Sequence, residues 1–301
     1  MNKGFIYAIV AYLTWGLLPL YWKLFQTMSA MEILAHRIVW SFVFVAGILV
    51  ISRKWKQLRA AVNESKKLFA VFICSILISS NWLIFIWAVN AGHVIETSLG
   101  YYINPLINVL FGVAVLKERL HKGQWVSIGL ALIGVSMITF QYGQVPWIAL
   151  SLALTFSMYG LAKKMVSMDS MIGLAWETIF VAPIAFFYLV FIQVNHTSTI
   201  MNLSWVQIVL LLLAGAATAM PLYWFAQATK LLPFSTVGFI QYLAPSTSLL
   251  LAIFVFHETF TSTHFISFAF IWAALIVFTF TSIKRKAKPD VIATQPIAEQ
   301  S

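Results

Sequence analysis

Arg37 and Glu177 each stand inside a long apolar run, and 140 positions separate them. An ionised side chain in hydrocarbon is costly and is kept where it meets partners or a water-filled cavity, so both are candidates for holding a charged group or moving a proton. His36 adjoins Arg37 but points about 100° away around a helix; it is a candidate proton carrier, with a hydrogen-bonded packing group as the alternative. Glu96 joins Glu177 and His36 as a candidate for gating or proton coupling. Tyr101, Tyr102 and Asn104 precede Pro105, and Gln241 and Tyr242 precede Pro245, again 140 positions on. Proline removes a backbone donor and clashes with a carbonyl one turn back, so a kink is predicted at both, and paired interruptions point to a midplane site. Trp15, Trp82 and Tyr223, deep in their own runs, complete the candidate substrate cavity. Each residue also has a plainer role: Arg37 paired with Glu32 or Glu96, Glu177 with Lys163 or Lys164, Asn104 on a carbonyl freed by Pro105, the prolines as packing kinks.

The elements that must position these residues follow from composition. Of the 301 residues, 61% are hydrophobic and 9% charged, against about 25% charged in a soluble domain. About 20 apolar residues at 1.5 Å rise cross a hydrocarbon core of about 30 Å, and such runs recur almost without pause. Helices are expected near 4–22, 32–51, 69–89, 96–116, 124–141, 146–163, 172–192, 205–228, 235–256 and 264–283. The fold class expected is an all-α membrane protein of about ten transmembrane helices. The first run follows Lys3 and ends in Leu-Pro-Leu-Tyr-Trp without a small-residue cleavage site, so it is read as a retained helix and not a signal peptide. On this layout Arg37 lies ~9 Å below the outer end of its helix.

With the N-terminus inside, 17 of the 19 basic residues fall in inner segments, Lys23 lies outside and Arg37 within a helix. This bias follows the positive-inside rule and places both termini in the cytoplasm of a bacterial cell, the chain sitting in the inner membrane. It also accounts for the net charge of +10 with no nucleic acid as partner. The basic segment 53–67 carries Trp55, Leu58 and Val62 at helical spacing, which suits either the anionic leaflet or a solvated orienting loop. Trp22, Trp147 and Trp205 at outer ends, with Trp55 and Trp125 at inner ends, suit interface anchors. Glu118 and Glu258 suit capping or loop bracing. Residues 284–301 read as a flexible cytoplasmic tail.

The offset of 140 also aligns Phe85 with Phe225, Ala88 with Ala228 and Glu118 with Glu258. Two halves, 1–143 and 144–283, then hold five helices each, and an odd count turns the second upside down: an inverted repeat. The strings Ala-His-Arg-Ile-Val-Trp-Ser at 35–41, Glu-Thr-Ser-Leu-Gly-Tyr-Tyr-Ile-Asn-Pro-Leu at 96–106, Lys-Glu-Arg-Leu at 117–120 and Gln-Tyr-Leu-Ala-Pro at 241–245 resemble the EamA family of the drug/metabolite transporter superfamily. The likeness is nearest to its RarD branch of chloramphenicol-sensitivity proteins. It implies ten helices, two EamA repeats and a permease role, and names no cargo.

No Gly-rich phosphate loop, H-E-x-x-H or Gly-x-Ser-x-Gly occurs, so no catalytic residue, cofactor or metal is expected. A single cysteine, Cys74, excludes a disulfide framework. The function expected is a secondary transporter, permease or exporter, of small metabolites or drugs by alternating access. An intramembrane enzyme acting on a lipid and a non-transporting membrane partner are the alternatives. The partners expected are the bilayer and a small-molecule cargo, with a homodimer as the one protein assembly entertained.

Overall fold

The computed structural model describes residues 3–25, 27–91, 93–143, 146–255 and 262–286. Within these, the side chains of Glu96 and His264 are among those outside the description, as are Glu258 and the tail beyond residue 286. The described residues contain helices and no strand. In order they are α1 (Lys3–Trp22), α2 (Ala30–Ile51), α3 (Trp55–Ala60), α4 (Ser65–Asn90), α5 (Val94–Ala114), α6 (Lys122–Tyr142), α7 (Trp147–Met165), α8 (Ser170–Val194), α9 (Trp205–Leu231), α10 (Phe234–Gln241), α11 (Leu243–Phe254) and α12 (Ser262–Lys286). By length and composition, five stretches, those of α1, α2, α4, α8 and α9, qualify as membrane spans.

Ordinary caps start and stop these helices. Ser29 accepts from the Glu32 N–H at the start of α2, Asp169 accepts from Met171 and Ile172 at α8, and Ser204 with Gln207 forms a capping box on α9. Gly143, at φ 78°, closes α6 in the left-handed conformation that glycine adopts freely.

The two halves are interleaved. α1 packs on α9 and α11, α2 on α8 and α9, α4 on α7 and α8, α5 on α7 and α10, and α6 on α12. Every first-half helix of spanning length thus finds its main partners in the second half. Small residues let backbones approach: a Cβ on Gly215 of α9 would fall 2.1 Å from the Trp40 carbonyl oxygen of α2, so any larger residue would push these two helices apart.

Two expectations are modified. The helix expected over 235–256 is two, α10 and α11, broken at Tyr242. Pro245 sits in the first turn of α11, where it has no N–H to give the Gln241 carbonyl and crowds that oxygen. α5, by contrast, runs through Pro105 without interruption; its neighbour Asn104 is tied to α7, and a Cβ on Gly238 of α10 would lie 3.0 Å from the Pro105 carbonyl oxygen. Pro19, Pro183 and Pro221 also lie inside helices, so proline alone does not single out the expected pair. The basic segment 53–67 forms α3 and a 3-10 turn, and Leu58 and Ala61 are buried in the main core. It is docked beneath the bundle, with the Trp176 indole N–H donating to the Leu58 carbonyl at 3.3 Å.

Glu118 is a brace between halves. Its carboxylate accepts from the Phe234 N–H at 2.5 Å, the Ser235 N–H at 3.0 Å and the Ser235 hydroxyl at 2.6 Å, capping α10 from the α5–α6 connection. Three charge-assisted bonds at a helix N-terminus make Glu118→Ala an expected loss of ~2 kcal/mol, seen as earlier thermal unfolding in detergent. Breaking the exposed Lys67–Glu64 pair is expected to change nothing measurable.

Candidate functional site

A cavity of about 30 Å³ lies between α2, α4, α8 and α9, room for one or two waters. α2 contributes Ile38 and Ser41; α4 contributes Ile78, Ser79 and Trp82; α8 contributes Leu174, Glu177, Thr178 and Val181; α9 contributes Thr218, Ala219 and Leu222. The α8 set is spaced i, i+3, i+4, i+7, one face of a helix.

At one end stands Arg37. Its Nε–H donates to the Thr218 hydroxyl at 3.2 Å, and its guanidinium lies 4.5 Å from the Trp22 ring centroid and 4.9 Å from that of Trp82. Indole faces attract a desolvated cation but supply no counter-charge, and no described carboxylate pairs with Arg37. Glu32, an expected partner, is committed elsewhere: it accepts from the Ser198 hydroxyl at 2.8 Å, the Thr199 N–H at 2.9 Å and the Thr199 hydroxyl at 2.8 Å. Glu96, the other expected partner, has its side chain outside the description. A half-buried guanidinium with no carboxylate partner among the described residues is chemically able to hold an anionic group by bidentate hydrogen bonds.

At the other end Glu177 meets Lys163 at 2.7 Å, both nearly inaccessible, and accepts from the Tyr159 hydroxyl at 3.2 Å. The expected pairing with Lys163 is therefore present. Lys164 instead donates to the Thr229 and Leu232 carbonyls at 2.9 and 2.6 Å, closing the C-terminus of α9.

Both ends of the bundle are fastened. On the Arg37 side, Glu32 ties α2 to the loop after α8, Tyr21 donates to the Leu210 carbonyl, and Gln207 donates to the Leu24 carbonyl at 2.7 Å. On the Glu177 side, Lys54 pairs with Asp169 at 3.2 Å and Lys230 donates to the Met168 carbonyl. Burial raises the Asp169 pKa, but the Ile172 N–H and the Lys54 ammonium outweigh it and hold the carboxyl below its usual value. The Lys54–Asp169 tie is accordingly present above the ordinary carboxylate range and is lost as pH falls through the lowered pKa.

None of the other expected site residues whose side chains are described lines this cavity. Trp15 packs with Tyr12, Phe156 and Phe225 at centroid distances of 5.5, 5.7 and 5.7 Å, an aromatic cluster on α1, α7 and α9 that continues to Tyr159 and so to Glu177. Tyr223, half-buried, accepts from Gln227 one turn on. Asn104 donates to the Ala153 carbonyl at 2.7 Å and the Ser157 hydroxyl at 3.0 Å, and Asn108 bridges Asn104 to Gln241 at 3.2 and 2.7 Å. These amides bind α5 to α7 and α10 and are not among the cavity walls. Asn104 thus bonds across to α7 and not to a carbonyl freed by Pro105. Tyr102 and Tyr242 lie in the core cluster that includes Phe268 and Phe278 of α12, Tyr102 edge-on to Phe268 at 5.1 Å and Tyr242 edge-on to Phe239 of α10 at 6.3 Å. Tyr101 contacts Phe85 at 5.9 Å. His36 is buried, and its Nδ1 has no partner among the described residues. Asn81, unremarked in the sequence, donates to the Leu152 carbonyl at 2.8 Å and the Thr155 hydroxyl at 2.9 Å, tying α4 to α7. Of the hydroxyl residues on the walls, Ser41 stands four residues after Arg37 and Ser79 three before Trp82, a helical spacing that could signal them, whereas Thr178, adjacent to Glu177, and Thr218, alone on α9, carry no such signal.

Known proteins place this arrangement. Residues 2–140 match the EamA-like transporter family. The chain is 47% identical to the "Uncharacterized transporter YojE" of Bacillus subtilis over 95% of this chain and 96% of that one. It is 39% identical to "Protein RarD" of Escherichia coli over 94% and 95%. A solved crystal structure has the same fold, with a TM-score of 0.70 at 15% identity, covering 92% of this chain and 97% of the other. With two such relatives matched almost end to end, this multi-pass membrane chain belongs to the EamA-like transporter family, in the branch of the RarD proteins.

Proposed function

We propose that the chain is a secondary transporter carrying a small amphipathic solute with an anionic group, by alternating access to the cavity between α2, α4, α8 and α9. The observation that carries this is the register of the cavity walls. Ile38, Ser41, Ile78, Ser79 and Trp82 become Thr178, Val181, Thr218, Ala219 and Leu222 when 140 is added, and Glu177 on the wall answers Arg37, which stands just beyond the walls on Thr218 and Trp82. The same offset relates the helix contacts: α1 on α9 answers α7 on α4, and α2 on α9 answers α8 on α4. A cavity walled by equivalent positions of two inverted five-helix repeats has two interchangeable mouths. Fastened at both ends and too small for a metabolite, it fits an occluded state between two opened ones.

In this reading Arg37 takes the anionic group of the cargo, Trp22 and Trp82 flank its apolar part, and Glu177 exchanges Lys163 for a proton as the opposite mouth opens. The Arg37 mouth faces outward and both termini lie in the cytoplasm of a bacterial inner membrane, since the basic residues cluster on the Glu177 side. A reporter fused after His196 then reads as external.

The test is untargeted profiling of cells and medium with the gene deleted and overexpressed. A set of small anionic solutes is expected to shift in opposite directions, several-fold, between the two strains. Unchanged profiles in both would overturn the transport reading.

A further inference from the structure

A second concavity, of about 300 Å³, opens on the flank of the bundle between α2, the last turns of α8 and the loop at 198–200. Its size is at the lower end of ligand pockets. Leu189, Val190 and Val194 form its apolar walls, with His36, Gln193 and Ser198 as the polar groups. Val190 and Val194 are exposed, on the outward side of a helix that qualifies as a membrane span, so the groove opens toward hydrocarbon. His36 lines it, and the buried Nδ1 of that imidazole is satisfied by no described group. Leaving such an atom unmet in a low-dielectric site is unfavourable, which favours an occupant able to hydrogen-bond there.

The inverted repeat, on which this comparison rests, shows what the corner accommodates. Shifted by 140, His36 becomes Trp176 and Ser198 becomes Leu58. At that inner corner the chain fills its own space: Leu58 is buried and its carbonyl receives the Trp176 N–H at 3.3 Å. At the outer corner an imidazole replaces the indole, the loop holds polar Ser198 instead of leucine, and Ser198 is turned to Glu32 at 2.8 Å. The space that the inner corner fills is left empty here, and the hydrogen bond that the inner corner makes has no described counterpart at His36 Nδ1.

We infer that this groove is a binding site for one phospholipid of the outer leaflet, an acyl chain lying along Leu189, Val190 and Val194 and an ester carbonyl meeting His36 Nδ1. The imidazole presents a donor at Nδ1 in the tautomer that an ester selects. His36 lies six residues into α2, ~9 Å below its outer end. The exposed rim of Gln193, Asn195 and His196 draws the polar interface down toward it. The bilayer supplies this ligand, in contact with the groove mouth, at a concentration no soluble molecule matches.

The experiment uses the full chain in vesicles of phosphatidylethanolamine and phosphatidylglycerol containing phosphatidylethanolamine with a diazirine on one acyl chain. After irradiation, labelled peptides are mapped by mass spectrometry. Label on 186–200 and on 33–39 is expected to exceed that on the outward face of α12 at least fivefold. Val190→Trp, at an exposed position that leaves the bundle intact, is expected to lower it at least fivefold, and His36→Leu at least threefold, without changing label elsewhere. Even labelling over all lipid-facing helices, indifference to either variant, or a covalent dimer through this groove in place of lipid adducts would overturn the inference. No flux is measured, so a failure here is separate from a failure of the transport reading.

Discussion

Replacing Lys163 by Met is expected to destabilise the protein more than replacing Lys163 and Glu177 together. Alone, the substitution leaves the Glu177 carboxylate, 4% exposed, with only the Tyr159 hydroxyl at 3.2 Å in place of an ammonium at 2.7 Å. Stranding one member of a buried ion pair costs ~3–5 kcal/mol, whereas removing both charges is often close to neutral. The midpoint of thermal inactivation in detergent should therefore fall by several degrees in Lys163→Met and recover most of that in Lys163→Met with Glu177→Gln. Equal losses in single and double variants would mean that the carboxylate does not depend on Lys163. By the same asymmetry, protonation of Glu177 alone would leave the Lys163 ammonium, 6% exposed, buried and unmatched, so it would act only together with a movement of Lys163 to water as that mouth opens.

Arg37→Lys is expected to fold normally and to reduce the solute shifts seen on overexpression by tenfold or more, nearly as far as Arg37→Ala. Lysine keeps the charge but loses the plane that lies 4.5 and 4.9 Å from two indole centroids and the Nε donor to Thr218. Exchange of the two charges, Arg37→Glu with Glu177→Arg, is expected not to restore flux, because each residue has its own partners at its own end of the cavity. Rescue by that exchange would show that the two meet directly and would overturn the two-ended arrangement.

The placement of helices was legible because the signal is simple: long apolar runs punctuated by charge and by caps such as Ser29, Asp169 and Ser204. The facing of each helix was not. In water an amphipathic stripe marks the buried side, but hydrocarbon is as apolar as a core, so lipid-facing Phe187 and core-facing Ala185 carry the same signal. That is why the sequence places Tyr102 and Tyr242, paired by the offset of 140, at the cavity, whereas they lie on the α12 side. Hydroxyl residues were silent for a related reason. Thr14 and Thr247 bond their own i−4 carbonyls at 2.7 and 2.8 Å, as Ser41 bonds Arg37 at 2.6 Å, so a wall residue and a bystander look alike. The ionisable residues stood out because burying charge needs a partner, and Glu177 with Lys163 was legible on that ground. The break at Tyr242 was half legible: Pro245 announced an interruption, but its position in the first turn of a new helix depends on what holds α10, and Glu118 does that from the other half.

Access to one cavity from both sides in turn can be measured without knowing the cargo. With Cys74, buried and the only cysteine, replaced by Ala, single cysteines are placed at Ser41 and Thr178, which line the cavity from α2 and α8. Right-side-out and inverted vesicles are then exposed to a membrane-impermeant maleimide. Alternating access requires each cysteine to be labelled from both sides, slowly, and a cross-link that locks the Arg37 end to abolish labelling from that side while increasing it from the other. Labelling from one side alone, or from neither, would contradict it.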